Sequence, residues 1–448
     1  MNKQTGLIAG TSLLFVASII SFVGRFATSI IIARTLGPEF KGVYNLTLLS
    51  SGLVIIICNI GLNGAISYFM ASKKYSSKQL YALAITAGLG LSIAGAIIFY
   101  LAYQHFFINN ILKGSDPQLI LWVMLGLPIS LVASFLSSLL LGQQRMIAYN
   151  FVLLINVMTN LAFQIVSSIL GAGVSGAIIA WLASNFLGLL LALWYLRGDF
   201  SLRIRALAPV IRPALSYGAR SYAGNLLTFF NLRLDSFLVN NFKGAAEVGQ
   251  YTSSVTFAEF LWYIPNAVSS ALFPKVSSVD KDTANRITPQ ACRQTLLIVI
   301  LATIAFSGVG GILIVFLYGE AYRPAVLPFL LLLPGMLGVT VAKVISADLA
   351  GRGKPQFGAY TAGISLIFTL ILDFVLIPRY SISGAAIASS IAYTVSGVLS
   401  VVWFSRETGS SPQTLLIPRL EDIRFLKDRV VNILQRSLRF VATRRGNN

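Results

Sequence analysis

Apolar runs of twenty residues or more recur from one end of this chain to the other, separated by short connections that carry most of its charge. A helix needs about 20 predominantly apolar residues to cross roughly 30 Å of hydrocarbon, so each run is long enough to span a bilayer. Only 11% of the 448 residues are charged and 56% are hydrophobic, whereas an ordinary soluble domain carries about 25% charged residues. There is too little polar side chain to cover a globule, and the membrane is the solvent this sequence is written for.

Twelve transmembrane helices are expected, near residues 7–33, 43–70, 80–104, 118–141, 150–170, 174–196, 213–241, 248–272, 291–317, 324–350, 357–377 and 382–404. The first is longer than the roughly 7–15 apolar residues of a signal-peptide core, carries Arg25 and is followed by further spans, so it reads as a retained helix. Counted by side, 24 lysines and arginines fall in the termini and even-numbered connections and 6 in the others. The positive-inside rule then puts both termini in the cytoplasm. The formal net charge of +19 is therefore mostly topology, and no nucleic-acid partner is expected.

In the tail, Ile423, Leu426, Val430, Ile433, Leu438 and Val441 recur at spacings of three to five, with Arg424, Lys427, Arg429, Arg436 and Arg439 between them. This is the pattern of a basic amphipathic helix lying on the acidic inner leaflet, which makes membrane lipids expected partners. Cys58 and Cys292 can form neither a disulfide framework nor a metal cluster. His105, among Tyr103, Phe106 and Phe107, reads as interfacial.

The chain also repeats itself. Arg25 through Leu36-Gly37-Pro38-Glu39-Phe40-Lys41-Gly42-Val43-Tyr44 matches Arg233 through Lys243-Gly244-Ala245-Ala246-Glu247-Val248-Gly249-Gln250-Tyr251, and Val174-Ser175-Gly176-Ala177 matches Ile382-Ser383-Gly384-Ala385, at offsets of 207 and 208 residues. Between them Leu141-Gly142-Gln143-Gln144-Arg145 loosely matches Gly351-Arg352-Gly353-Lys354. Repeats of six spans enter the membrane from the same side, so two six-helix lobes related by a pseudo-twofold axis along the membrane normal are expected, with a substrate path between them. The corresponding organisation is an amino-terminal lobe at 1–198, a cytoplasmic linker at 199–212, a carboxyl-terminal lobe at 213–405 and the basic tail at 406–448. Such a plan suits alternating access.

A charge at bilayer depth costs at least about 2.5–3.5 kcal/mol even on insertion scales, so it normally faces a cavity or a partner. The intramembrane cations are Arg25, Arg220, Arg233 and Lys343, and the acids are Asp235, Glu259, Asp373 and Asp348. With a rise of about 1.5 Å per residue, Arg220 and Lys343 fall in the cytoplasmic half of the membrane, and Arg25 and its repeat partner Arg233 in the outer half. Guanidinium forks and lysine point charges in two tiers suit a phosphate-bearing headgroup passed from one leaflet to the other. The competing reading is an ion-pair lock formed by Arg25, Arg233, Asp235 and Asp373. Asp235, Glu259 and Asp373 are candidates for coupling or gating, and Asp348 for an interfacial role.

Two motifs carry no chemistry. Gly171-Ala172-Gly173-Val174-Ser175-Gly176 has the spacing of a dinucleotide fingerprint but no strand around it, and is expected to be a tight turn. Gly351-Arg352-Gly353-Lys354-Pro355 lacks Walker spacing. No catalytic constellation, metal or cofactor site is expected, so energy must come from a gradient, the membrane potential or downhill flow.

The segment Ala33-Arg34-Thr35-Leu36-Gly37-Pro38-Glu39-Phe40-Lys41-Gly42-Val43-Tyr44 resembles the amino-terminal signature of polysaccharide repeat-unit flippases in the multidrug/oligosaccharidyl-lipid/polysaccharide exporter superfamily. Asp235 and Val248-Gly249-Gln250-Tyr251 stand where that family has a span-7 Asp and a Gly-x-Tyr start to span 8. The resemblance implies a V-shaped pair of six-helix lobes that moves a polyprenyl-diphosphate-linked oligosaccharide from the inner to the outer leaflet of the bacterial cytoplasmic membrane. A polysaccharide polymerase and glycosyltransferases are further candidate partners. Multidrug exporters of the same superfamily also have twelve spans, so a cation-coupled exporter is the alternative, and the sign of the cavity discriminates the two.

Overall fold

The computed structural model describes residues 3–102, 117–202, 207–422 and 424. His105 and all but the first residues of the expected tail helix lie outside them. Every regular element among the described residues is helical: α1 (Lys3–Asn59), α2 (Leu62–Ala71), α3 (Ser77–Ala102), α4 (Pro117–Gly142), α5 (Met146–Ile169), α6 (Gly173–Tyr195), α7 (Ala208–Lys243), α8 (Ala245–Ala258), α9 (Tyr263–Ser277), α10 (Lys281–Tyr318), α11 (Val326–Gly351), α12 (Gln356–Thr408) and α13 (Pro412–Leu416). Short 3-10 turns cover Arg197–Asp199, Glu259–Trp262 and Glu320–Ala325. Among the described residues, eight helical segments are long and apolar enough to cross a membrane. Their outward side chains are apolar as well, Ile98, Ile169, Ile312 and Phe316 being exposed, as befits helices solvated by lipid.

Two of these helices are too long to be single rods. At about 1.5 Å per residue, the 57 residues of α1 and the 53 of α12 would each run far beyond the roughly 30 Å of a hydrocarbon core. Each breaks at one residue. In α1 it is Gly37 (φ 75, ψ 177), followed by Pro38, which suits the first turn of a new helical arm because it has no N–H to satisfy. In α12 it is Ser381 (φ 53, ψ −137).

These breaks reproduce the sequence repeat in the backbone. Gly37 has its counterpart in Gly244 (φ 92, ψ 175), Gln144 (φ 57) in Gly353 (φ 80), and Gly173 (φ 61) in Ser381. A left-handed residue is what lets a chain leave one helix and start the next within a residue or two, and at these three positions the two halves match. The glycine-rich stretch 171–176 is the tight turn expected, with Gly171 and Gly173 both at positive φ.

The chain divides into two compact units. The first comprises Met1–Thr256, Ile312–Pro328 and Leu370–Ala385. Within it, the second arm of α1 and the start of α8 touch backbone to backbone: a Cβ on Gly42 would overlap the Ala245 carbonyl, and one on Gly249 the Pro38 carbonyl. Gly42 and Gly249 are repeat equivalents, and so are Asn45 and Thr252, whose side chains bond across the same junction, Asn45 Nδ2 donating to Thr252 Oγ1 at 2.6 Å. Close packing of small residues is how helices associate in lipid. Arg34 adds an end-on contact, donating Nε to the Leu317 carbonyl at 2.8 Å and Nη2 to the Phe316 carbonyl, carbonyls that the end of α10 leaves open.

The second unit comprises Phe257–Gly311, Phe329–Thr369 and Ala386–Asn448. Its core gathers Leu272, Val276, Cys292, Val344, Ile345, Phe404 and Leu415. Gly335 lies against Ser390, and Gly338 against Tyr393 and Thr394. Asp348 is buried near the end of α11, where its carboxylate accepts from Arg352 Nε one turn later and from Thr288 Oγ1, both at 2.6 Å. This is a structural ion pair.

Candidate functional site

The first unit encloses a cavity of about 370 Å³ between α1, α5 and α6. Two cations reach it, one from each arm of α1. Arg25 is exposed to it and has no hydrogen-bond or ion-pair partner among the described residues. Lys41, which falls between the expected spans 7–33 and 43–70, is 2% exposed in its wall. Its Nζ donates to Ser253 Oγ at 2.7 Å and stands 4.1 Å from the ring centroid of Tyr318 and 5.2 Å from that of Tyr322. The Tyr318 hydroxyl is in turn 3.1 Å from Ser29 Oγ. No carboxylate contacts Lys41 among the described residues. A hydroxyl and two ring faces recover only part of the cost of burying an ammonium.

Lys41 escaped sequence reading because Pro38-Glu39-Phe40-Lys41 looks like a polar break, whereas the second arm begins at Pro38 and carries Lys41 into its first turn. One signal was available: the repeat equivalent of Lys41 is the apolar Val248, so the charge is peculiar to one half.

The rest of the lining is uncharged, with Ile32, Leu48 and Val157 interleaved among polar side chains. Asn156 and Asn160 lie one turn apart on α5, and Trp181 and Asn185 one turn apart on α6, facing the same space. Asn160 Nδ2 donates to Ser184 Oγ at 3.3 Å and Asn185 Nδ2 to the Trp181 carbonyl at 2.8 Å, while Asn156 Nδ2 reaches Asn185 Oδ1 at 3.4 Å. These bonds use part of each amide, which has two donors and a carbonyl acceptor, and leave the remainder for the cavity. Reading only the charged residues had missed them. No acid lines the cavity among the described residues.

The acids gather elsewhere in the same unit. Asp235 is buried on α7 and accepts from the Tyr251 hydroxyl at 2.6 Å and the Ser236 N–H at 2.7 Å. Asp373 is 0% exposed, within electrostatic reach of Asp235, and neither of its carboxyl oxygens has a hydrogen-bond partner among the described residues. Arg233 is half-buried two residues before Asp235. In the second unit Lys343 Nζ donates to Asn266 Oδ1 at 2.9 Å and stands 4.8 Å from the Trp262 ring, with Glu259 within electrostatic reach. The side chain of Arg220 lies outside the described residues. Asp373 thus lies within electrostatic reach of Asp235 and Lys343 of Glu259, and Arg25 shares its cavity with Lys41.

Comparison with known proteins places these features in a context. Residues 31–327 match a family described as polysaccharide biosynthesis protein. The chain is 24% identical over 406 residues to the probable low-salt glycan biosynthesis flippase Agl15 of Haloferax volcanii, covering 88% of this chain and 82% of that one. It is 22% identical over 382 residues to a putative O-antigen transporter of Shigella flexneri, covering 82% and 90%. Among solved structures, the lipid II flippase MurJ in an inward closed conformation aligns with a TM-score of 0.72 at 16% identity, over 89% of this chain and 87% of that one. That last likeness is one of fold.

Proposed function

The chain belongs to the polysaccharide biosynthesis protein family, and from that premise we propose that it carries a polyprenyl-diphosphate-linked oligosaccharide from the inner to the outer leaflet of the cytoplasmic membrane by alternating access. The observation that supports this most is the cavity holding Arg25 and Lys41 without an acid. A guanidinium can take one phosphate bidentately and an ammonium can serve the other as a point charge. The amides of Asn156, Asn160 and Asn185 offer both donors and acceptors to sugar hydroxyls, and Trp181 an apolar face. At about 370 Å³ the cavity sits near the small end of ligand pockets, roughly 300–1,000 Å³, which fits part of a headgroup while the polyprenyl chain stays in lipid. The cation-coupled multidrug alternative is the weaker reading, because a cationic cargo would meet two positive charges here.

In this reading α1 and α12 each contribute two spans through their single-residue breaks, α2 extends the second arm of α1, and α8 and α9 form one interrupted span. The total is twelve, six per half, in lobes at 1–198 and 213–405 joined by a cytoplasmic linker at 199–212, with both termini cytoplasmic. The matched left-handed residues support the twofold relation. The Gly42–Gly249 junction closes one end of the path, and its parting would free Lys41 from Ser253. Arg220, Arg233 and Lys343 serve as further cationic stations. Asp235 and Asp373 serve coupling: a buried carboxyl with both oxygens unbonded is a natural seat for a proton or a small cation. Glu259 modulates Lys343. A polymerase and glycosyltransferases would act on the same lipid-linked material.

The test is movement of lipid-linked oligosaccharide in vesicles reconstituted with the purified chain. Arg25→Gln and Lys41→Gln should each lose it while inserting normally. Full transport by both variants would overturn the proposal.

A further inference from the structure

In the second unit, the start of α10 and the chain that follows α12 enclose another cavity, of about 380 Å³. Its lining includes Arg286, Gln290, Arg293, Thr414, Arg419 and Glu421. Arg293 is already engaged: its Nε donates to Asp422 Oδ2 at 2.8 Å and its Nη1 to the Thr414 carbonyl at 2.6 Å. Asp422 also accepts the Arg419 N–H at 2.9 Å, and Leu415 is fully buried in the core beside Phe404. The segment after α12 is thus pinned to α10 by one buried ion pair and one apolar anchor.

With Asp422 neutralised by Arg293, two guanidinium groups remain against one carboxylate. The side chains of Arg286 and Arg419 are exposed and have no hydrogen-bond or ion-pair partner among the described residues. With Glu421 in the same wall, the cavity carries a surplus of one positive charge, which matches a monoanion.

The depth of the site narrows the source of that anion. The apolar run of α10 from Leu296 to Tyr318 is 23 residues, enough at about 1.5 Å each to fill the hydrocarbon core. Arg293 is three residues short of it and Arg286 ten, so by the same rise they sit roughly 5 and 15 Å outside the hydrocarbon edge. The headgroup layer occupies about 5–8 Å there, so Arg293 and the inner end of the cavity lie in that layer, while Arg286 starts on its aqueous side and reaches a phosphate only by extending its long side chain toward it. The pinned segment agrees: Ile417 is 57% and Leu420 74% exposed, flanking Arg419 in the sequence. An apolar and basic edge of this kind suits the boundary between headgroups and acyl chains, and a site for a free anion would have no use for it.

We infer that the cavity between the start of α10 and the segment after α12 is a binding site for the phosphate headgroup of an anionic phospholipid. The lipid would bridge Arg286 on α10 to Arg419 on the pinned segment, reinforcing the junction that Arg293 and Asp422 make. This site requires only that the chain spans a membrane and does not depend on the identity of the cargo.

The experiment uses the full-length chain purified in detergent, with melting temperature and retained lipid by native mass spectrometry as readouts. Phosphatidylglycerol, phosphatidylcholine and inorganic phosphate are added separately. Phosphatidylglycerol should raise the melting temperature by several degrees and stay bound, and the other two should not. The double variant Arg286→Gln/Arg419→Gln should lose that shift, whereas Arg25→Gln/Lys41→Gln should keep it, which separates this site from the cargo cavity. An equal shift with phosphatidylcholine, a full shift with phosphate alone, or an undiminished shift in the Arg286/Arg419 variant would each overturn the inference. If that variant fails to fold, Arg419→Gln alone should show faster hydrogen exchange over 409–422 in phosphatidylglycerol nanodiscs than the parent chain; equal exchange would count against the site.

Discussion

Gly42→Ala is the smallest change that should disturb the junction between α1 and α8. A Cβ there overlaps the backbone carbonyl of Ala245, which cannot rotate away as a side chain would, so the helices must separate. Overpacking of this kind costs about 1–3 kcal/mol. Since about 1.4 kcal/mol is a factor of ten, the closed junction should lose roughly one to two orders of magnitude in population against any state in which the helices are parted. The neighbouring bond amplifies the effect: Lys41–Ser253 at 2.7 Å passes out of hydrogen-bond range with about 1 Å of separation. The assay is labelling of Asn45→Cys by a membrane-impermeant maleimide, in a chain whose own Cys58 and Cys292 are buried. Gly64→Ala, where a Cβ meets open space, is the control. Gly42→Ala should speed labelling about 5- to 140-fold over that control. Equal rates would refute the tight junction and the gating role built on it.

Lys41→Met keeps the bulk of a lysine stem and removes a buried charge, so melting should be unchanged or higher. Cargo affinity should fall about 10–150-fold, the worth of a charged hydrogen bond of about 1.5–3 kcal/mol, measured by binding of a lipid-linked diphosphate. Asp373→Asn preserves shape and removes the ionisable group. The variant should fold normally yet lose the dependence of transport on an imposed proton or sodium gradient, and an unchanged dependence would remove Asp373 from coupling. Asp422→Asn leaves Arg293 buried without its carboxylate, a loss of about 3–5 kcal/mol for a broken buried pair, and should expose 409–422 to limited proteolysis. Burial alone would raise the Asp422 pKa, but the Arg293 hydrogen bond and the Arg419 N–H hold it below the usual carboxylate value. Its contribution is therefore complete above about pH 4 and lost as pH falls through the lower folded value, so the same segment should become protease-sensitive only in strong acid.

What could be read beforehand followed from the solvent. Hydrocarbon demands long apolar helices, and the repeat shows at Gly37 and Gly244 because only a residue at ease with positive φ can turn the chain so abruptly. The same logic made the glycines at 171–176 a turn. Asp235 and Asp373 stand out in the sequence because charge is scarce at bilayer depth, and both are buried. Lys41 was lost because hydropathy sets span boundaries at polar residues, while the helix boundary is set by Gly37 and Pro38, three residues earlier. The amides of Asn156, Asn160 and Asn185 were lost because an uncharged polar side chain barely changes the hydropathy of a span. The interruption between α8 and α9 at Glu259–Trp262 has no glycine or proline to announce it; Pro265 lies beyond the turn.

In the proposed function this chain turns a diphosphate-linked oligosaccharide across the bilayer through the cavity of Arg25 and Lys41. It is tested most directly in sealed vesicles carrying the purified chain and the lipid-linked oligosaccharide, by the rate at which cargo becomes accessible to a membrane-impermeant reagent. The wild-type chain should accelerate exposure over protein-free vesicles, and Arg25→Gln/Lys41→Gln should return the rate to that baseline. Exposure at the baseline rate with the wild-type chain, or at the wild-type rate with the double variant, would contradict it.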